Sequence, residues 1–538
     1  MTYNFVMRGL PQSSTTTTGA RRPSWLGWLV KGFAIDVRSL AAFRMAMATV
    51  LLIDLAERAA DLAAHYTDAG VLPRAARIVM EHNETAAAGP WAWSLHMATG
   101  TTCGQAALFL GAAVFGSALL IGYRTRLAAA ASWLLTVSVC HRNPILLDAG
   151  DTILQAVLFW SMFLPLGAAA SVDRRLRGGA PFAPRDIRSL PGAALLLQIC
   201  AIYWATAAEK SSPIWHQEHT AIFYALSLDA FATPLGHRLL AYPRLLTWLT
   251  MAVYWLEWLG PAVALLPLAR GLPRLIVVLA FWAFHLGTAM TMQLGALPWI
   301  SMAIWTVLLP GTLWDKLGWR LPGETSPFDV ALPTTGAADR SLMPKLLRHP
   351  DAPYRPPGKL VGAVVAALGV YVAVWNINEV SARFEGRLPA GWKVPAYVLG
   401  LDQNWGMFAP FPLTDDGWYE MRGVLADGSV VNLWDVDQTL PRRKPANVAA
   451  TYRSRRWLKY LMEIRLGWSP FLPEFADWLR RRWNELHADG APHRRVKHID
   501  IIYHIEKTLS PERSSTLIVP EILFEADYNL LALRNGHN

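Results

Sequence analysis

Cysteine is scarce in this 538-residue chain, which has Cys103, Cys140 and Cys200 and no metal-ligand spacing among them. That excludes a disulfide framework, and each thiol sits in or beside an apolar segment, where it behaves as a small hydrophobe. Charge is also sparse, at 17% of residues against 53% hydrophobic, and mean hydropathy is +0.24. Such a balance belongs to a polytopic membrane protein with a soluble appendage. There is no Gly-rich phosphate loop, no paired-cysteine zinc motif and no Gly-x-Ser-x-Gly elbow. No signal peptide is expected in residues 1–30, because no apolar run with a cleavage site follows Arg21-Arg22.

Aromatics are abundant instead. Many of the 25 Trp residues fall near the ends of apolar runs, as Trp204, Trp215 and Trp299 do, where amphipathic rings favour the membrane interface. Nine such runs occupy roughly 39–57, 102–122, 126–140, 149–169, 190–208, 247–268, 273–291, 294–311 and 360–376, and most approach the ~20 residues a span needs. The net charge of +10 comes from Arg and Lys in short loops between the runs. That is topology information rather than a nucleic-acid footprint, so no nucleic-acid partner is expected. The basic loops alternate and place the N-terminus in the cytoplasm and everything after residue 377 outside. The expected fold is an all-α polytopic membrane bundle of about eight or nine transmembrane helices with a small C-terminal extracytoplasmic α+β domain. The divisions are a tail at 1–32, a transmembrane domain at 33–320, a cytoplasmic linker at 321–358, a last helix at 359–376 and the outer domain at 377–538. The Pro-rich stretch 350–357 suggests that the last span and outer domain form a separable unit.

Charges inside or beside the runs are the candidate site residues. Asp54, Arg58 and Asp61 share one helical stripe and read as a structural ion-pair network. Glu209 and Lys210 end the fifth run, where they either mark a site or snorkel to the interface. Loss of water there favours the neutral amine that a base needs, while Glu209 favours the ammonium. His285 lies about 18 Å along the seventh run, in its outer half, and Gln293 follows at the exit. His141, Asp148 and Asp151 lie on the same outer side. Tyr203, Trp204, Trp215, Phe281 and Trp282 stand near enough to wall a cavity or simply to face lipid. His216 and His219 lack a convincing third ligand, so no metal is predicted.

Three stretches carry a resemblance. DVRSLAAFRMAMATVLLIDLAERAADLAAHYTDAGVLPR (Asp36–Arg74), HRNPILLDAGD (His141–Asp151) and FHLGTAMTMQLGALPW (Phe284–Trp299) resemble the horizontally transferred transmembrane (HTTM) domain family, related to the vitamin K-dependent gamma-glutamyl carboxylases. LDQNWGMFAPFPLTDDGWY (Leu401–Tyr419) is similar to a tail found in many bacterial members. The resemblance implies a bacterial inner-membrane enzyme in which Lys210 deprotonates a reduced quinone such as vitamin K hydroquinone. Oxygen then yields a strong base, and a glutamate side chain of an extracytoplasmic protein gains CO2. It implies His285 as a second catalytic residue. Tyr203, Trp204, Glu209, Trp215, His141, Asp151 and Gln293 are the expected substrate- or cofactor-binding residues, with membrane lipids as neighbours. The chain departs from the carboxylases at Ala149-Gly150-Asp151, where they carry an Asn-His pair, and at Glu209, where they carry a second lysine. Two other readings stand beside it. One is a quinone-dependent membrane oxidoreductase without carboxylation, the other a non-catalytic module for lipid binding or protein maturation.

In the C-terminal portion, Trp418–Trp434 reads as a hairpin about Asp427-Gly428. Residues 452–483 read as amphipathic helix with Arg on the outer face, and His498–Ile505 as a strand. Asp415-Asp416-Gly417 is expected to be a turn rather than a Ca2+ site.

Overall fold

The computed structural model describes residues 25–82, 91–176, 185–319, 358–380, 388–487, 492–508 and 518–528. The N-terminal tail before residue 25 and the Pro-rich stretch 350–357 lie outside them. The chain opens with α1 (Trp25–Gly32), a short strand β1 (Ile35–Asp36) and the 24-residue α2 (Val37–Ala60), capped by Asp36, whose carboxylate accepts the Arg38 N–H. Two short helices, α3 (Leu62–Tyr66) and α4 (Arg74–His82), precede α5 (Thr102–Ile121), which Thr101 caps and Gly122 ends at φ 75°. Then come α6 (Thr125–Arg142) and α7 (Ala149–Ser161), the latter opened by a reciprocal Asp148–Asp151 capping box. After α8 (Val172–Leu176) and β2 (Asp186–Ile187), which pairs with β1, the chain enters α9 (Leu190–Glu209). Ser189 caps α9 and Pro191 sits in its first turn.

The short α10 (Pro213–His216), α11 (Ala221–Leu226) and α12 (Pro234–Leu239) cross one end of the bundle before α13 (Pro243–Ala264) and α14 (Leu272–Thr291). The helices α15 (Leu297–Trp305) and α16 (Gly311–Lys316) complete this part, and α17 (Lys359–Val380) packs along α9. Each of the nine apolar runs contains a helix, though the run 149–169 is helical only over α7 and the run 294–311 mainly over α15. Five helices among the described residues are long and apolar enough to cross a membrane, as in a multi-pass membrane protein: Val37–Ala60, Thr102–Ile121, Leu190–Glu209, Ala269–Thr291 and Lys359–Val380. The 13 residues of α7 reach only about 20 Å against a hydrocarbon core of about 30 Å.

The remaining chain forms a lobe of α18 (Ala390–Leu399), β3 (Asp415–Leu425), β4 (Val430–Asn432), α19 (Arg455–Leu466), α20 (Leu472–Leu486), β5 (Val496–Lys507) and β6 (Ile518–Asp527). Its four-stranded sheet is antiparallel in the order β4-β3-β5-β6. The hairpin turns at 426–429, so Val424 faces Val430. Asp415, Asp416 and Gly417 are not a turn: they begin β3, paired with Lys507, Glu506 and Ile505. The helices α19 and α20 are amphipathic, but Arg456 lies on their buried side.

Although the linker marks a boundary in the sequence, packing crosses it without a break. One core joins Trp457, Tyr460, Phe475 and Ile501 of the lobe to Tyr66, Leu72 and Ile145 of the bundle. The segments after α2, α6, α9 and α14 all meet the lobe at one end. Ser454 Oγ donates to Asp61 Oδ2 at 3.0 Å, Arg456 to the Leu146 carbonyl at 3.0 Å and Trp215 Nε1 to the Phe408 carbonyl at 3.0 Å. The Gly295 backbone abuts Arg455. At the other end Arg38 ties Asp36 at 2.9 Å to Asp315 at 2.8 Å.

Candidate functional site

The fifth apolar helix stops at Glu209 because Lys210 takes a non-helical ψ of 60° and Ser212-Pro213 starts α10. This break turns the Lys210 side chain into the bundle, where it is only 4% exposed. Its ammonium forms an ion pair with Glu257 of α13 and lies 4.5 Å from the centre of the Trp215 ring. Glu257 is 3% exposed. Either charge alone at this depth would be costly, and together they carry no net charge.

One helix over, His285 of α14 meets Tyr203 of α9, with Nε2 and Oη 2.8 Å apart. Trp305 Nε1 donates to the same Tyr203 oxygen at 2.9 Å, and Phe281 stacks on Trp305 at 4.1 Å. Lys210, Glu257, Tyr203, Trp215 and His285 line one cavity of about 290 Å3. Its other walls are almost wholly apolar, with Leu246, Leu249, Val253 and Phe284 from α13 and α14 and Met407 and Phe408 from the segment before the lobe's sheet.

The other candidates lie elsewhere. Trp204 donates to the Trp258 carbonyl at 3.0 Å and faces a second apolar groove between α9, α13 and α17. Glu209 points toward residues 405–406, where it accepts the Trp405 N–H. His141 is bound through Nδ1 to the Trp93 carbonyl at 2.9 Å. Gln293 is exposed, with its backbone N–H on the Phe231 carbonyl at 2.7 Å. Trp282 donates to the Met302 carbonyl at 2.9 Å. His216 and His219 are each held by a backbone carbonyl, of Ser211 and Trp215, and do not converge.

Asp151 belongs to a second charged cluster. Arg58 joins Asp54 at 2.7 Å and also pairs with Asp151. Arg456, coming from the lobe, joins Asp54 at 2.5 Å and Asp151 at 2.6 Å. Asp61 is not part of this network. A void of only about 20 Å3 lies beside it, room for a single water. His65 packs over Trp457 with ring centres 4.3 Å apart, and burial beside Arg456 and Arg58 lowers its pKa to about 3.

Glu257 and Trp305 are the site residues that sequence reasoning missed. Glu257 is the one acidic residue in the 22 of α13, and an ionisable group inside an apolar helix is a site signal by itself. Trp305 carried no such signal. Comparison with known protein families, with curated proteins and with solved structures returns no match to this chain.

Proposed function

We propose that the chain is a carboxylase-like integral-membrane enzyme that holds a reduced quinone in the cavity and uses Lys210 as its base. The observation that carries this reading is that Lys210 and His285 line one apolar cavity, with Glu257 buried against Lys210. In this reading the chain crosses the membrane about eight or nine times with the N-terminus in the cytoplasm. The lobe then lies outside the cell membrane, where an extracytoplasmic protein substrate would meet it.

The walls fit such a ligand. A hydrocarbon tail matches the Leu246, Leu249 and Val253 side, and an oxygen-bearing head matches the polar groups of Lys210, Glu257 and His285. A bound reduced quinone supplies hydroxyl protons and two electrons that oxygen can accept. Glu257 holds the Lys210 proton whenever Lys210 acts as the free amine, so the pair stays neutral as a unit. Trp215 lies over the ammonium and Phe408 closes the same wall, which keeps bulk water from the amine.

The test is mass spectrometry of lipids purified with the full chain and of extracytoplasmic proteins from cells expressing it or Lys210→Ala. A bound quinone and protein adducts of about 44 Da, the mass of CO2, both lost in Lys210→Ala, are expected. A quinone without adducts would favour the oxidoreductase reading. Co-purified lipid without quinone, unchanged in the variant, would favour the non-catalytic module.

A further inference from the structure

The hydrogen bonds behind the cavity fix which nitrogen of His285 carries the proton. Trp305 Nε1 can only donate, and it donates to Tyr203 Oη at 2.9 Å. Trp305 takes one lone pair of Tyr203 Oη, and among the described residues the one acceptor for the hydroxyl's own proton is His285 Nε2, 2.8 Å away. Were Nε2 the donor instead, that buried proton would be left without an acceptor. No carboxylate is bonded to His285 among the described residues, and an uncompensated imidazolium in this apolar setting would be costly. A neutral imidazole that accepts at Nε2 must carry its hydrogen at Nδ1. Nδ1 has no hydrogen-bond partner among the described residues and, unlike the nitrogens of His65, is not fully enclosed, and His285 lines the cavity.

We infer that His285 presents an Nδ1–H donor to the cavity, so that the natural ligand places an acceptor oxygen of carbonyl or phenolic type against it. This rests on the cavity being the ligand site proposed above and narrows the ligand class, since a plain hydrocarbon chain leaves that donor unpaired. The ligand head therefore bears oxygen on two sides, one toward Lys210 and Glu257, the other toward His285. Tyr203 and Trp305 act as positioning residues, because they touch the imidazole or its partner and not the ligand oxygen.

The experiment uses the full chain labelled with 15N-histidine in detergent, with the His285 signal identified by its loss in His285→Asn. The Nδ1-protonated tautomer is expected, shifting toward the Nε2-protonated form in Tyr203→Phe, which removes the hydroxyl that holds Nε2. An Nε2-protonated or charged His285 in the unaltered chain would overturn the inference whatever the ligand is. A second measurement compares two probes of the same shape, a short-tailed alkylnaphthoquinone and the matching alkylnaphthalene. The quinone should bind about tenfold better, as one hydrogen bond allows. That advantage should survive in His285→Asn, whose amide N–H can replace Nδ1–H, and vanish in His285→Leu. Equal affinity for both probes in the unaltered chain would overturn the acceptor requirement. An Nδ1-protonated His285 in a cavity that takes neither probe would sustain the donor assignment and remove the quinone reading instead.

Discussion

Two buried charge clusters share this bundle and differ in what is left unsatisfied. In the cluster around Arg58, all four carboxylate oxygens of Asp54 and Asp151 are occupied by guanidinium donors of Arg58 and Arg456. The planar forks of two arginines saturate two carboxylates, leaving nothing to offer a ligand. Around Lys210 the opposite holds. The ammonium has three donors and one carboxylate partner, while Glu257 Oε1 has no hydrogen-bond partner among the described residues, and both residues face a cavity of about 290 Å3. Saturated charge builds structure; unsaturated charge beside open volume is available for chemistry.

The largest effect that would break this contrast is on stability. Arg456→Ala removes donors from both Asp54 and Asp151 and the tie between lobe and bundle. Breaking a buried pair in this way costs about 3–5 kcal/mol, so thermal unfolding in detergent should fall steeply, with little folded protein recovered. A variant as stable as the parent would show that the cluster holds nothing together. The double change Lys210→Met with Glu257→Gln should behave differently. It removes both charges at once beside a cavity that can take in water, and so should leave the unfolding temperature nearly unchanged while, on the proposed function, lowering the quinone-dependent carboxylation at least about 100-fold.

This contrast also marks what the sequence made legible. The helices were readable because long apolar runs leave the backbone no other way to satisfy its polar groups in lipid. Lys210 and His285 were legible as candidates because one ends such a run and the other interrupts one. The partnership of Lys210 with Glu257 was not, since 47 residues separate them and no periodicity relates two helices to each other. Arg456 was hidden for a related reason. In RSRRW (Arg453–Trp457) four polar residues in a row look like a solvated face, and only the docking of the lobe on α7 reverses that for one of them. Asp415 to Gly417 was misread because turn composition overrode the pairing that β5 imposes on those residues.

A third prediction concerns pH at the junction beside the saturated cluster. His65 titrates at about 3 in the folded protein against an ordinary 6.5. Its folded pKa is depressed, so the unfolded chain binds the proton first as pH falls, and stability is lost from about pH 6.5 downward to about 3. By pH 5 the loss should reach about 2 kcal/mol, at about 1.4 kcal/mol per unit. His65→Phe, which keeps a ring on Trp457, should flatten this slope in an unfolding series between pH 7.5 and 5. An unchanged slope would place the acid sensitivity elsewhere.

The smallest expected effect sharpens the contrast on the side of the open cavity, through two helical glycines. A methyl added at Gly260 of α13 would lie 2.7 Å from Phe281 Cε2, the ring that stacks on Trp305. A methyl added at Gly287 of α14, which lines the cavity, meets nothing within 4 Å. Both positions have ordinary helical backbone, so alanine is intrinsically favoured at each by about 0.5–1 kcal/mol. At Gly287 that gain is unopposed, and Gly287→Ala should raise the unfolding temperature slightly while changing ligand affinity only a few-fold. At Gly260 the overlap must be relieved by moving Phe281, at about 1–3 kcal/mol, which outweighs the helix gain. Gly260→Ala should therefore destabilise the protein and, by shifting Phe281 against Trp305, disturb the hydrogen bond that orients Tyr203. If both substitutions destabilise, the space beside Gly287 is not open and the cavity wall is closed there; if both stabilise, Phe281 yields to the added methyl at Gly260 without cost.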